Sequence, residues 1–315
     1  VLAWLLWVAA TPLWLPLATL ADVARNGRGA AVRSGALLAF YLSCEVLGVA
    51  ISAALWLWRL GVRMEEVHWR DLHFRLEAWW GTLLFRGVER IFGLELSVQG
   101  DADLGRGPYL LLVRHAGTAD ALLASALISV PHGLRLRYVL KRELLWDPCL
   151  DIVGHRVPNV FVDRFADDSA AEIRRIEELA RDLGPRDGLL IYPEGTRFSP
   201  AKRNRVIERF ERAGDVKLVE YARSLERVLP PRPGGTLAVL EAAPQADVVI
   251  CAHTGLEGTA SLGAVWRGAL VHQRVRVRFE RIPRAEIPVG RDAREVWLRE
   301  TWREVDAWVS RVERA

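Results

Sequence analysis

Lysine is almost missing from this chain. Of its 43 basic residues only Lys141, Lys202 and Lys217 are lysines, and the remainder are arginines. Such an imbalance is what GC-rich coding produces and is not read as a binding signal. No basic stripe alternates with stacking aromatics, and no helix-turn-helix or zinc-finger spacing occurs, so nucleic acid is not an expected partner. Cysteine is scarce as well. Cys44, Cys149 and Cys251 are odd in number and far apart, which excludes a disulfide framework and a paired-cysteine metal site and points to a reducing compartment. His68, His132, His155, His253 and His272 lack the spacing of metal ligands, so neither a metal nor a bound cofactor is expected. The most informative absence is charge at the front: none from Val1 to Ala21, and only Glu45 from Gly35 to Trp58.

What is there fits those absences. A chain of 315 residues that is 51% hydrophobic and 26% charged can bury a large core, which excludes disorder. The two apolar stretches are joined by Asp22–Ser34, too short for anything but antiparallel neighbours, and together they predict a helical hairpin over residues 1–64 embedded in a membrane. The first stretch lacks a basic start and a small-residue cleavage site and is expected to stay attached; Pro12 and Pro16 would kink it. Arginines at 25, 28 and 33 nearly balance those at 59, 63, 70 and 75, so a spanning hairpin and one dipping into a single leaflet both remain open. Many of the 13 tryptophans flank these stretches, as interfacial tryptophans do, while Trp69, Trp79 and Trp80 fit a core equally well. The net charge of +4 suits a membrane surface or a small phosphorylated substrate.

Residues 65–315 suit one domain. Apolar residues at helical spacing from Glu65 to about Phe92 predict an amphipathic helix lying on the interface or against that domain. Beyond it, strands are expected at Glu95–Gln99, Tyr109–Val113, Arg137–Leu140, Asn159–Val162, Gly188–Tyr192, Val248–Ala252 and Val275–Glu280. Helices are expected at Asp120–Ile128, Ser169–Leu183, Lys202–Ala213, Val216–Val228 and Ala293–Val312, with a loop at Leu229–Gly235. Interleaving of this kind predicts an α/β fold with a central, mostly parallel or mixed sheet flanked by helices.

Three strand ends carry chemistry. The first runs into His115 and then, after a short turn, Asp120. A histidine there stands outside the sheet edge, and the turn lets the carboxylate reach one ring nitrogen, which would fix the tautomer and make the other nitrogen a base; read alone, the pattern fits better a helix-capping Asp120 and an ordinary strand-end histidine. The second ends in Pro193-Glu194-Gly195-Thr196-Arg197, where Gly195 permits close backbone approach, Arg197 can grip a phosphate and Glu194 can orient that arginine or bind a hydroxyl; a purely structural Glu194–Arg197 ion pair fits the residues equally well. The third ends in Asp163-Arg164. A basic run follows the second motif, Lys202, Arg203, Arg205, Arg209 and Arg212, of which all but Lys202 read as a solvated helix face.

Taken in order, these motifs resemble those of the glycerolipid acyltransferases, which include the lysophosphatidate acyltransferases. His115-x4-Asp120, Asp163-Arg164 and Pro193–Arg197 match that family's blocks in order and approximate spacing between about residues 95 and 200. Leu229–Arg232 and Leu240–Pro244 look like the branch that includes lysocardiolipin acyltransferases. Two positions depart: Arg114 stands where the family usually has Asn before the histidine, and Ile250–Thr254, containing His253, stands where it has a Pro-Val pair.

The resemblance implies transfer of an acyl group from acyl-CoA or acyl carrier protein to a lysophospholipid hydroxyl, 1-acylglycerol 3-phosphate first among acceptors. It implies His115 as base and Asp120 as its orienting partner. Lys141, Arg164, Glu194, Gly195, Thr196, Arg197 and Lys202 would then form the substrate-binding set. No protein nucleophile is expected, since no Gly-x-Ser-x-Gly occurs and no cysteine lies in a motif. Acceptors such as glycerol 3-phosphate or lysocardiolipin, a silent lipid-binding role, and a metal-dependent phosphoesterase are the rival readings. The expected location is a bacterial inner membrane, with the catalytic domain on its cytoplasmic side.

Overall fold

A computed structural model of the chain describes residues 1–25, 27–100, 104–163 and 169–314. The first apolar stretch forms two helices, α1 (Leu2–Ala9) and α2 (Thr11–Arg25), bent by 62° at Ala10. Pro12 lies in the first turn of α2, where its missing N–H is harmless, and Pro16 is tolerated inside it. Helix α3 (Ala30–Gly61) is 32 residues long and apolar enough to cross a membrane by length and composition. The first stretch folds back along it: Trp4 Nε1 donates to Ser43 Oγ (2.8 Å), Trp7 Nε1 donates to the Gly35 carbonyl (3.2 Å), and Trp14 packs over Gly35. Asp22, the first charge in the chain, caps α3 by accepting from the N–H groups of Ala31 and Val32 at 2.8 and 3.0 Å.

Helix α4 (Glu66–Phe92) is the expected amphipathic helix, and it lies against the domain, with Trp69 and Trp80 buried and Trp79 exposed. Its other side receives α3, where Phe40 fills the space beside Gly87. After α4 come β1 (Glu95–Gln99), β2 (Tyr109–Val113) and α5 (Asp120–Ala124). That helix continues through a π turn at Ser125–Ser129 into α6 (Val130–His132), so the expected helix at Asp120 is present and longer. Next are β3 (Arg135–Lys141), α7 (Pro148–Gly154), β4 (Val160–Val162), α8 (Ser169–Ala180), β5 (Asp187–Ile191), α9 (Pro200–Arg212) and α10 (Val216–Ser224). The chain ends with α11 (Pro233–Ala242), β6 (Asp247–Thr254), α12 (Leu262–Trp266), β7 (Arg274–Ile282) and α13 (Arg291–Arg314). The loop expected at Leu229–Gly235 is half right: Pro233 takes the first helical position of α11, where proline is favoured, and the helix begins there.

Seven strands form one mixed sheet in the order β1-β7-β6-β2-β5-β3-β4. All neighbouring pairs are parallel except β6 and β7, so β1 and β7 together run against the other five. Side chains alternate between two faces. Tyr109, Leu111 and Val113 of β2 join Leu190, Val249 and Cys251 under α4 and α5, while Leu110 and Leu112 join Leu189, Val248 and Ile250 under α8, α11 and α13. β2 lies at the centre with both faces buried, which is why it reads as an unbroken apolar run.

Candidate active site

Three adjacent parallel strands end at the same sheet edge, and the site is made of their continuations. β2 sits between β5 and β6, pairing Leu112 with Ile191 and Val113 with Cys251. Continuing that register sets His115 beside Glu194 on one side and His253 on the other. Alternation puts His115 and His253 on the α5 face, with Val113 and Cys251, and turns Arg114 to the opposite face.

Asp120, at the start of α5, reaches back into this edge. Its Oδ2 lies 3.0 Å from His115 Nδ1 and accepts from the N–H groups of Ala116 (2.7 Å) and Gly117 (2.9 Å), and its Oδ1 also accepts from Gly117. The turn is tight enough to need glycine: a Cβ on Gly117 would fall 2.0 Å from Thr259 Oγ1 and 2.4 Å from the Leu256 carbonyl. Asp120 is fully buried. Burial alone would raise its pKa, but the nearby His253, the hydrogen bond from His115 and the Gly117 N–H outweigh that and hold it below the usual carboxylate range. An ionised Asp120 on Nδ1 fixes the proton there and leaves Nε2 as the basic nitrogen of His115. The imidazole stacks on Tyr192 at 4.2 Å between ring centres.

The second motif grips the first by its backbone. Glu194 Oε1 accepts from the His115 N–H at 2.8 Å, and the His115 carbonyl accepts from the Phe198 N–H at 2.8 Å. The other Glu194 oxygen accepts from the Leu229 N–H at 2.9 Å. Glu194 is therefore a buried strut, set between two main-chain segments instead of facing Arg197 or a substrate hydroxyl. Burial pushes its pKa up to about 8, against the pull of those two N–H donors and Arg114. Gly195 turns with φ of +66°, which suits glycine, and Arg232 packs against its Cα.

Arg197 Nη1 donates to Thr118 Oγ1 (2.9 Å) and to the Ala260 carbonyl (3.0 Å), which holds the guanidinium against the turn between His115 and Asp120. Lys202 Nζ donates to Thr196 Oγ1 (3.0 Å) and the Arg197 carbonyl (2.9 Å), bracing that loop from the first turn of α9. Lys141 ends β3, two strands from β2 at the same edge, and pairs with Glu143 at 2.5 Å. Arg164 lies outside the described residues; its neighbour Asp163 pairs with Arg142 at 3.2 Å. The structure thus joins His115, Asp120, Glu194, Thr196, Arg197 and Lys202 in one bonded network and sets Lys141 apart from it along the sheet edge.

Sequence reading missed the supports of this network. Asp306 of α13 accepts from the N–H groups of Glu226, Arg227 and Val228 at 2.6–3.1 Å, and so fixes the turn that presents the Leu229 N–H to Glu194. Thr259 Oγ1 accepts from the Thr118 N–H at 2.9 Å. Neither had a signal in spacing, because both lie far along the chain from the motifs they serve. Among the described residues, no group of three or more His, Cys, Asp or Glu side chains is placed to hold a metal ion. An ionised carboxylate, a tautomer-fixed imidazole at a sheet edge and a nearby guanidinium can take a proton from a hydroxyl and hold an anion beside it.

The chain is 25% identical over 256 residues to 1-acyl-sn-glycerol-3-phosphate acyltransferase epsilon of Mus musculus, covering 78% of this chain and 69% of that protein. Its fold is similar to the crystal structure of the 1-acyl-sn-glycerophosphate (LPA) acyltransferase PlsC from Thermotoga maritima, with a TM-score of 0.60 at 13% identity over 90% of this chain and 98% of that one. Residues 95–254, which run from β1 through the His115 and Glu194 turns to the end of β6, match the Acyltransferase family model, and the chain belongs to that family of enzymes.

Proposed function

We propose that this acyltransferase moves an acyl group from a thioester, acyl-CoA or acyl carrier protein, to the free hydroxyl of a lysophospholipid, with 1-acylglycerol 3-phosphate as the best-supported acceptor. The observation that carries the reading is the His115 Nδ1–Asp120 Oδ2 contact of 3.0 Å, at a strand end whose backbone is pinned by Glu194 and Phe198. His115 Nε2 accepts the hydroxyl proton as the oxygen attacks the thioester carbonyl carbon. Asp120 stabilises the imidazolium that forms. When the tetrahedral intermediate collapses, the carbon–sulfur bond breaks and His115 returns the proton to the departing thiolate. Arg197 holds the acceptor's phosphate beside the His115 turn. The relative from mouse, named for acylating 1-acyl-sn-glycerol 3-phosphate, favours this acceptor.

Helices α1–α3 deliver the enzyme to its amphiphilic substrates. Leu2, Leu6, Leu13, Leu17 and Leu20 of the first stretch and Leu57 and Leu60 of α3 are each at least 60% exposed, a concentration of exposed leucine that marks a membrane or partner surface. A lipid bilayer, reached from the cytoplasmic side, is its natural cover.

The test is to incubate the purified protein in detergent with labelled acyl-CoA or acyl carrier protein and a panel of lysophosphatidate, lysocardiolipin, other lysophospholipids and glycerol 3-phosphate. Product mass identifies donor and acceptor. Phosphatidic acid as the main product supports the reading, and acylation of none of them overturns it. Arg197→Ala is expected to raise the acceptor's KM about 30- to 150-fold with the donor's little changed.

A further inference from the structure

The two positions at which the sequence departs from the family pattern, Arg114 and His253, meet in the structure. They lie on neighbouring strands, just beyond the paired part of β2 and β6. Arg114 Nη1 donates to the His253 carbonyl at 2.6 Å, and His253 Nε2 lies 2.9 Å from the Arg114 carbonyl. Each side chain thus bonds the other's backbone and extends the β2–β6 ladder to the residue that leads into His115.

The same His253 Nε2 lies 3.6 Å from Asp120 Oδ1. From these contacts we infer that His253 is a positioning residue for the His115–Asp120 pair. A carbonyl can only accept, so Nε2 carries the proton and presents it to both oxygens. The contact with Asp120 is longer than a hydrogen bond and acts as an N–H dipole directed at the carboxylate. Oδ2 of Asp120 is already committed to His115, Ala116 and Gly117, whereas among the described residues Oδ1 accepts a hydrogen bond only from the Gly117 N–H. A donor on the Oδ1 side holds the carboxylate plane so that Oδ2 stays on His115 Nδ1. His253 is wholly buried, and its Nδ1 has no hydrogen-bond partner among the described residues, so its polar contacts all converge on the site.

Arg114 keeps His253 in register. Besides the His253 carbonyl, its guanidinium donates to Glu257 Oε1 at 2.6 Å and to the Arg227 carbonyl at 3.0 Å, while Glu257 Oε2 accepts from the Gly255 N–H at 2.8 Å. These bonds tie the turn that follows His253 to Arg114. An asparagine at 114 could not span that distance, and a proline–valine pair at the end of β6 would offer no donor to Asp120.

The inference rests on the proton-transfer reading of His115 and Asp120, and the variants are chosen to separate the two. His253→Phe keeps the ring and removes the donor. His253→Gln places an amide N–H near the former Nε2, whereas His253→Asn places one near Nδ1, out of reach of Asp120. Steady-state kinetics on lysophosphatidate and acyl-CoA should show kcat down about 10- to 100-fold in Phe and Asn, the loss typical when a partner behind a working imidazole is removed. Both KM values should stay within about twofold, and Gln should recover most of kcat. Equal loss in Gln and Asn, a silent Phe variant, or an effect confined to KM would each overturn the assignment. If Phe fails to fold, the Gln–Asn contrast decides alone. Should His115→Ala keep full activity, the proton-transfer reading fails first; a dead His115→Ala beside a silent His253→Phe removes only this inference.

Discussion

Helices α3 and α13 pack on the same domain, yet they are built inside out with respect to each other. α13 turns Leu298, Trp302, Val305 and Val309 inward and shows Glu300, Arg303, Glu304 and Arg311 to the outside. α3 turns small or polar residues inward, Gly35, Cys44, Glu45, Gly48 and Ser52, and shows Leu38, Leu47, Trp56, Leu57 and Leu60. Its one acid, Glu45, accepts from the Cys149 N–H at 3.0 Å at the start of α7 instead of facing outward. Large apolar side chains are stable on the outside only where the surroundings are apolar. The contrast separates two surroundings: α13 braces the candidate site through Asp306 and faces water, while α3 presents the apolar surface of a helix suited to a membrane.

The sharpest way to break that division is to remove the base. His115→Ala should lower turnover by about 1,000-fold or more while binding to phospholipid vesicles stays unchanged. A variant that keeps more than a tenth of wild-type activity would remove His115 from the mechanism. The converse variant leaves the site and alters the apolar surface of α3. Replacing Leu38, Leu47 and Leu57 together by serine should weaken vesicle co-sedimentation on the order of 100-fold, because each of these partly exposed leucines contributes about 1 kcal/mol of apolar burial. Activity on a short-chain, water-soluble acceptor should persist. Full vesicle binding by this variant would show that α3 is not the contact. Deleting residues 1–60 would be a poorer probe, since it also uncovers the face of α4 that carries Gly87 and the buried Cys149.

Smaller effects test the bracing by α13. Asp306→Ala leaves the N–H groups of residues 226–228 without their acceptor and should cost about 3 kcal/mol of stability, together with part of kcat through the Leu229–Glu194–His115 chain. Thermal unfolding and turnover measured on the same preparation check this; a lower melting temperature with wild-type kcat would show that the relay stops at the loop. The smallest effect is a pH signature at Glu194. Its carboxyl rises from the ordinary 4.5 to about 8 in the folded chain. Between those values the unfolded chain has lost a proton that the folded chain keeps, so stability should fall as pH rises through that window and level off above it. Glu194→Gln does not titrate and sets an NH2 against one of the two backbone donors. It should be less stable than wild type at pH 5 and closer to it at pH 9. A gap that stays constant with pH would contradict the buried, proton-retaining strut.

The difference between these regions also decides what the sequence could reveal. Local signals carried the strands, the amphipathic α4 and both motif turns, because each depends on the residues next to it. The pairing of His115 with Asp120 was legible for the same reason, with only four residues between them. Glu194 was found as a residue and misread as a contact: its neighbour Arg197 suggested an ion pair, and only the fold shows both oxygens facing main-chain N–H groups. Asp306 was invisible, since α13 reads as an ordinary amphipathic helix and nothing in it names a loop 80 residues earlier. His253 was noticed as a departure and as a histidine without metal-ligand spacing, not as a site residue. The alternation Val249, Cys251, His253 beside Leu111, Val113, His115 would have placed it on the His115 face once the β2–β6 register was known.

The bonds from Glu194 and Phe198 to His115 have a topological consequence. They make residues 116–193 a closed loop of chain whose two ends meet at one peptide. β3, β4, α7 and α8 all belong to that loop, and so do Lys141 and the groove formed by Arg142, Leu145, Trp146 and Asp163. Its surface connections can therefore lengthen, shorten or change composition without displacing the ends that hold the imidazole. The groove beside Lys141 is free to change shape on a frame whose imidazole stays where it is.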